Sequence, residues 1–112
     1  MAMDGKGKIL RIFLNENSRY EDRPLYEALV QKAFQHGLAG SMVFRGIQGF
    51  GFCCKSCRTH GLGMTISKCQ PMTVEFIDRE EKLREIIPVF KEMLPTGAMI
   101  MQDAEIIFNR GE

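Results

Sequence analysis

The apolar residues of this chain recur with two different periods, and the order in which those periods alternate restricts its fold more than any single motif does. Residues 8–14 alternate as a strand, with Leu10, Ile12 and Leu14 on one face and Ile9 and Phe13 on the other. A polar stretch at 15–23 reads as a loop, and Pro24 suits the first turn of a helix. There Leu25, Ala28, Leu29 and Ala33 recur at helical spacing, Tyr26, Val30 and Phe34 widen the stripe, and Gly37 is a natural stop. Residues 40–52 read as a second strand, punctuated at its end by Gly46, Gly49 and Gly51. A third strand is expected at 72–77. Asp78, with Glu81 three residues on, forms a capping-box pattern opening a second helix. Leu83, Ile86, Ile87, Phe90 and Leu94 make its apolar stripe, and Pro88 within it predicts a kink or a restart. Pro95-Thr96-Gly97 closes that element, and 99–108 is a fourth strand, bent at Gln102-Asp103.

The order β-α-β-β-α-β is that of a split β-α-β, ferredoxin-like α+β fold: an antiparallel sheet with two helices on one face. With 112 residues the whole chain, 1–112, is expected to be a single domain, with 1–7 a flexible N-terminal tail and 53–70 a mobile loop. The first strand is apolar on both faces, yet the helices cover only one, so burial of the other against a second subunit is expected. A chain that is 45% hydrophobic and 26% charged is not wholly disordered. It contains no apolar run near the ~18 residues of a membrane span. Its start has no apolar segment before a small-residue cleavage site, which points to the cytoplasm. There the four cysteines are expected to be reduced, metal-bound or redox-active rather than a disulfide framework. A net charge of +1 argues against a protein that coats nucleic acid.

Charge is unevenly placed. No acidic residue stands between Glu27 and Glu75, whereas Lys32, Arg45, Lys55, Arg58 and Lys68 do, together with His36 and His60. This is either a site for a small anion or a stretch whose counter-charges come from elsewhere in the fold. Within it lies Arg45-Gly46-Ile47-Gln48-Gly49-Phe50-Gly51. Glycines at a strand end let a ligand approach the backbone, successive N–H groups can cradle an oxyanion, and an arginine adds a bidentate donor. Equally, the glycines can simply bend a strand. Cys54 and Cys57 have the spacing of a zinc-binding pair, which Cys69 and His60 would have to complete, with Cys53 adjacent. Loop cysteines without a metal are the alternative. No Gly-x-Ser-x-Gly, His-Glu-x-x-His or Walker pattern is present, so no catalytic residue is assigned and an enzyme is not expected. His36 belongs at the end of the first helix, where it serves the helix dipole.

Several strings together resemble a family of small, uncharacterised bacterial and archaeal proteins described as PII-like. They are Leu10-Arg11-Ile12-Phe13-Leu14, Arg23-Pro24-Leu25-Tyr26-Glu27-Ala28-Leu29-Val30, Gly37-Leu38-Ala39-Gly40-Ser41, the Arg45–Gly51 motif, Val74-Glu75-Phe76-Ile77-Asp78 and Ile87-Pro88. The resemblance spans roughly residues 8–108. It implies a homotrimer with ligand sites in the clefts between subunits, taken by an adenine nucleotide (AMP, ADP or ATP) or another small anion. It also implies a regulatory rather than catalytic role, in which a mobile loop reports the ligand state to a transporter or an enzyme. Arg45, Gly46, Gln48, Gly49 and Gly51 stand at the family motif, and Thr96 and Gly97 where such proteins wrap phosphates. The chain departs from the family in its loop, where Thr59-His60 is reversed and displaced; zinc or another divalent metal at Cys54, Cys57, His60 and Cys69 stays open there.

Overall fold

The computed structural model describes residues 5–52 and 70–110. Within them strand β1 (Gly5–Asn15) is followed by a two-residue-strand hairpin, β2 (Arg19–Tyr20) and β3 (Arg23–Pro24). Helix α1 (Leu25–Gln35) and strand β4 (Gly40–Arg45) come next, then β5 (Pro71–Asp78), α2 (Glu80–Met93) and β6 (Ala98–Ile106). The four long strands form one antiparallel sheet in the order β4-β5-β1-β6, so β1 and β5 are central. The alternation read from residues 8–14 is realised. Leu10, Ile12 and Leu14 are buried with Met72, Val74 and Phe76 of β5 beneath α1 and α2. The helices contribute Leu25, Ala28, Leu29 and Ala33 from α1 and Leu83, Ile86, Phe90 and Met93 from α2. Phe76 and Phe90 stack with ring centroids 4.9 Å apart, tying sheet to helix at the centre of the core.

The opposite face of the sheet carries Ile9, Arg11 and Phe13 of β1, and beside them Thr73, Glu75 and Ile77 of β5. At its centre Arg11 Nε donates to Glu75 Oε2 at 2.6 Å, and Arg11 also donates to the Gln102 side-chain oxygen Oε1. Around this polar centre Met42, Phe44 and Ile100 are exposed, so the face has an apolar margin.

Helix α1 ends as its sequence implies. Gly37 takes φ +78°, its N–H bonds to the Phe34 carbonyl, and Leu38 N–H reaches back to Ala33 O at 3.1 Å; this is the paired closure of a Schellman motif. His36 sits at the C-cap, with Nδ1 3.2 Å from Lys32 O.

Five boundaries differ from the sequence reading, each for a local reason. First, β1 begins at Gly5, so residues 5–7 of the expected tail belong to the sheet, paired with Ala104, Glu105 and Ile106. Second, β4 stops at Arg45 rather than at 52. Gly46 N–H donates to Pro71 O at 2.9 Å, but a proline has no N–H to return, and the ladder ends there. Third, Asp78 does not cap α2. It continues the inward alternation of β5 and is buried, and the N-cap position falls to Arg79 with no side-chain cap. The Asp78 carboxylate instead accepts Ala39 N–H at 2.9 Å and Arg79 N–H at 2.6 Å, joining the entry to β4 with the start of α2. Fourth, α2 runs through Pro88 without a restart. Pro88 and Arg84, whose carbonyl loses its partner, both lie on the solvent side, where water can replace the missing bond. Fifth, β6 ends at Ile106 and pairs with β1 without interruption through Gln102 and Asp103, leaving Ile107 and Phe108 exposed beyond it. The β2–β3 hairpin, with Glu21 at φ +54°, is an addition that the polar stretch 15–23 does not announce. Residues 64–66, Met-Thr-Ile, which as a sequence suggest a short strand within the expected loop, lie outside the described residues.

Among the described residues every buried side-chain polar atom has a hydrogen-bond partner. Replacing Asp78 by alanine removes the shared carboxylate acceptor of two part-buried backbone donors, and the expected cost is ~1–3 kcal/mol. Chemical denaturation should show a lower midpoint with an unchanged slope; wild-type stability in Asp78→Ala would remove this carboxylate from the fold's framework.

Candidate functional site

The end of β1 opposite Gly5 gathers three segments that are far apart in sequence. Past Arg45 the chain leaves the sheet at Gly46, whose N–H is held by Pro71 O; a side chain at Gly46 would press on the Pro71 ring at 3.0 Å. Gly49 stays close to the same proline, 3.5 Å from Cγ to where a Cβ would stand. Six residues past Gly46, the Phe52 ring lies 6.0 Å from that of Phe13, tilted by 39°. The glycine-rich segment 46–52 thus crosses the ends of β5 and β1 and arrives beside β6.

Gly97 meets it there. This residue has φ +118°, and any Cβ on it would collide with the Phe13 carbonyl oxygen and come within 3.8 Å of Phe52 O. The structure therefore brings Gly46, Gly49, Gly51 and Gln48 to the same end of the sheet as Thr96 and Gly97, although about fifty residues separate the two groups. Gly51 also takes a left-handed conformation, φ +103°. Gln48 and Ile47 are exposed, and Thr96 is half-buried. Backbone with no side chains over it, next to a strand end, leaves N–H groups that an oxyanion can approach.

Arg45 supplies the charge at this end, and it is engaged. Its Nε donates to Glu16 Oε1 at 2.8 Å and its terminal nitrogen to Glu16 Oε2 at 2.6 Å, a two-point fork. The Arg45 fork holds the Glu16 carboxyl below the ordinary glutamate range, and Glu16 in turn raises the guanidinium. Glu16 is itself fixed from behind. Its N–H bonds to Gln70 O at 2.8 Å, while Asn17 Nδ2 holds the Gln70 side chain at 2.6 Å and Ser18 N–H closes on Asn15 O. The acid-free stretch 28–74 is thus not without acids in space: its described arginine is met by a carboxylate from the turn after β1. Nothing in the polar run 15–23 marks Glu16 in the sequence, because the pairing is made by the register of β1 and β4 on either side of β5.

Cys53, Cys54, Cys57, His60 and Cys69 lie outside the described residues, and with them the zinc reading. Among the described residues no three histidine, cysteine or carboxylate side chains are grouped to hold a metal. A concavity, about 1100 Å³ in volume, opens at the other end of the sheet, between Lys6 and Lys8 of β1, the first turn of α2 and Asp103 of β6. Four of its charges pair with one another. Lys8 bonds Asp103 and lies 3.7 Å from Glu80, which also pairs with Arg84 at 2.9 Å. Asp103, lowered by Lys8, and Glu80, lowered by Arg84 and Lys8, are held ionised there.

The profile of a protein family described only as an uncharacterised conserved group, DUF190, matches residues 7–106. A UPF0166 protein from Aquifex aeolicus is 37% identical over 103 residues, covering 92% of this chain and 95% of the relative. Another, UPF0166 protein MJ1524 from Methanocaldococcus jannaschii, is 26% identical over 100 residues, with 86% of each chain covered. In three dimensions the chain is similar to CPII from Thiomonas intermedia K12, solved bound to ADP and bicarbonate. That likeness has a TM-score of 0.54 at 17% identity and covers 90% of this chain and 88% of the other; it is a likeness of fold.

Two outcomes are expected at this end of the sheet. Gly97→Ala must move β1 or the segment at Phe52, at a cost of ~1–3 kcal/mol, visible as a lower thermal midpoint. The Arg45–Glu16 pair depends on an ionised carboxylate with a lowered pKa. It is therefore fully present above the unfolded glutamate value of about 4.3 and lost only as pH falls below it. The Arg45 Nε–H proton resonance, followed through an acid titration, should keep its hydrogen-bonded shift at about pH 5 and lose it below the ordinary glutamate range.

Proposed function

The chain belongs to the DUF190 family of uncharacterised proteins, and from that premise we propose that it is a PII-like ligand-binding regulator rather than an enzyme. The ligand is a small anion, with an adenine nucleotide favoured. The observation that carries this reading is the convergence of the glycine-rich segment 46–52, which sets out from Arg45, with Gly97 at one end of the sheet. That end of the sheet offers backbone donors, uncovered approach and one bidentate cation, which are the elements that bind a phosphate-bearing group. Arg45, Gly46, Gln48, Gly49, Gly51, Thr96 and Gly97 are the residues proposed to contact it. The fold it shares with CPII, which was solved with ADP and bicarbonate, supports the choice of nucleotide.

We further take the working form to be a homotrimer, with the ligand in a cleft between subunits. The open sheet face supports this: Met42, Phe44 and Ile100 are exposed around half-buried Ile9, Phe13 and Ile77, an apolar margin that a second copy would bury. No described helix is long and apolar enough to cross a membrane. The regulated partner, a transporter or an enzyme, would read the ligand state through the chain that follows Phe52.

The test is the thermal midpoint of purified protein against AMP, ADP, ATP and inorganic phosphate, with sedimentation to fix the assembly. A ligand at about a hundred times its dissociation constant stabilises by ~2.7 kcal/mol. In a chain of this size that is a rise of several degrees, at ~4–8 °C per kcal/mol at most. A trimer whose midpoint rises with one adenine nucleotide meets the expectation. A trimer indifferent to all of them overturns the nucleotide, and a monomer at working concentration overturns the assembly.

A further inference from the structure

We infer that Glu16 is a built-in stand-in for the ligand's anionic group, occupying the Arg45 fork when the site is empty and losing Arg45 to an oxyanion when one arrives. This rests on the reading of Arg45 as an anion-binding residue. Three observations carry it.

The first is geometry. Both Glu16 oxygens face Arg45 in a two-point arrangement, at 2.8 and 2.6 Å, which is how a guanidinium receives a phosphate or any other flat pair of oxygens. A guanidinium engaged in that way by a carboxylate cannot offer the same two N–H groups to a ligand. The second is asymmetry of support. Glu16 is the better buried partner, 25% exposed against 68% for Arg45, and its backbone is anchored by Gln70 and by the Asn15–Ser18 turn. The Glu16 backbone is held and its side chain is the less exposed, whereas Arg45 stands mostly in solvent, so Arg45 is the member with room to swing to another anion. The third is position. Arg45 is the last residue of β4, and Gly46 immediately begins the segment that carries the backbone donors. Swinging Arg45 off Glu16 needs no rearrangement of the sheet, since Gly46 N–H remains tied to Pro71 O.

The two roles available to Glu16 predict opposite signs. A carboxylate that merely aims Arg45 at the ligand would help binding, and its removal would weaken it. A stand-in competes, and its removal must tighten binding by the reciprocal of the fraction of time the fork is open. For a fork closed about nine-tenths of the time this is roughly tenfold.

The experiment is calorimetric titration of ADP and of inorganic pyrophosphate into wild type, Glu16→Gln, Glu16→Ala and Arg45→Gln, and into Arg45→Gln with Glu16→Gln. Glutamine keeps the size of the side chain and one acceptor, and alanine checks the result should glutamine hold the arginine in place. Glu81→Gln controls for the simple loss of a negative charge. It lies in the first turn of α2, about 20 Å along that helix from the site end, beyond the screening length at physiological ionic strength. Melting curves confirm that each variant is folded. The expected result is about tenfold tighter binding in both Glu16 variants, within about twofold of wild type in Glu81→Gln, and no effect of Glu16→Gln once Arg45 is gone. Wild type that binds ADP while the Glu16 variants bind it equally or less well overturns the stand-in and leaves the nucleotide reading intact. Glu16 variants that gain pyrophosphate but never ADP uphold the stand-in and overturn the nucleotide. No binding of either ion by any variant overturns both.

Discussion

Strand β1 is the member on which the rest of this structure depends. It is hydrogen-bonded along one edge to β5 and along the other to β6, so its register fixes both neighbours at once. Its inward residues Leu10, Ile12 and Leu14 are fully buried under both helices, and its outward Arg11 holds the polar centre of the open face. A strand paired on both edges and buried on one face cannot slip by one residue without reversing every side chain it carries. The candidate site inherits that precision. Phe13 and Asn15 stand at the end of β1, and everything placed there, from Gly97 to the turn bearing Glu16, is placed relative to a strand that has no freedom to move.

The site itself is made of what the sheet leaves over. Three chain ends stop near one another: β4 at Arg45, β5 beginning at Pro71, and β6 beginning at Ala98. Each stops for a covalent reason. Pro71 cannot return a hydrogen bond, Gly46 follows where a side chain would press on the proline ring, and Gly97 is the residue type that tolerates both φ +118° and contact with the Phe13 carbonyl. Chemistry that suits an anion therefore arises as a by-product of terminating an antiparallel sheet cleanly.

The fold was legible in the sequence because it is written in periodicity, and periodicity survives without three-dimensional information. Alternation at 8–14 and 72–77, and the helical stripes from Leu25 and Leu83, led directly to the sheet and its two helices. Boundaries were less legible, because they are set by single partners. Asp78 looks like a cap until the alternation of β5 is continued one residue further, which turns its carboxylate inward toward Ala39. Gly46 looks like part of a strand until Pro71 is seen opposite it. Of the site, the glycines, Arg45 and the Thr96-Gly97 pair were visible as residue types suited to phosphate. Glu16 was not, since a lone glutamate in a polar loop carries no pattern, and only the sheet's order sets it beside Arg45.

Both ends of the segment between β4 and β5 are fastened at the same place. Phe52 leans on Phe13, and Gln70 is held through its carbonyl by Glu16 and through its side chain by Asn17. Whatever lies between begins and finishes at anchor points that the sheet already maintains. For any segment between such anchors, closing the loop costs only ~0.6 kcal/mol more for each doubling of length. Loop closure alone therefore sets little penalty on the length of chain between β4 and β5, and the anchors at Phe52 and Gln70 are made by β1 and the turn that follows it. That end of the sheet is a socket that carries its own anchors.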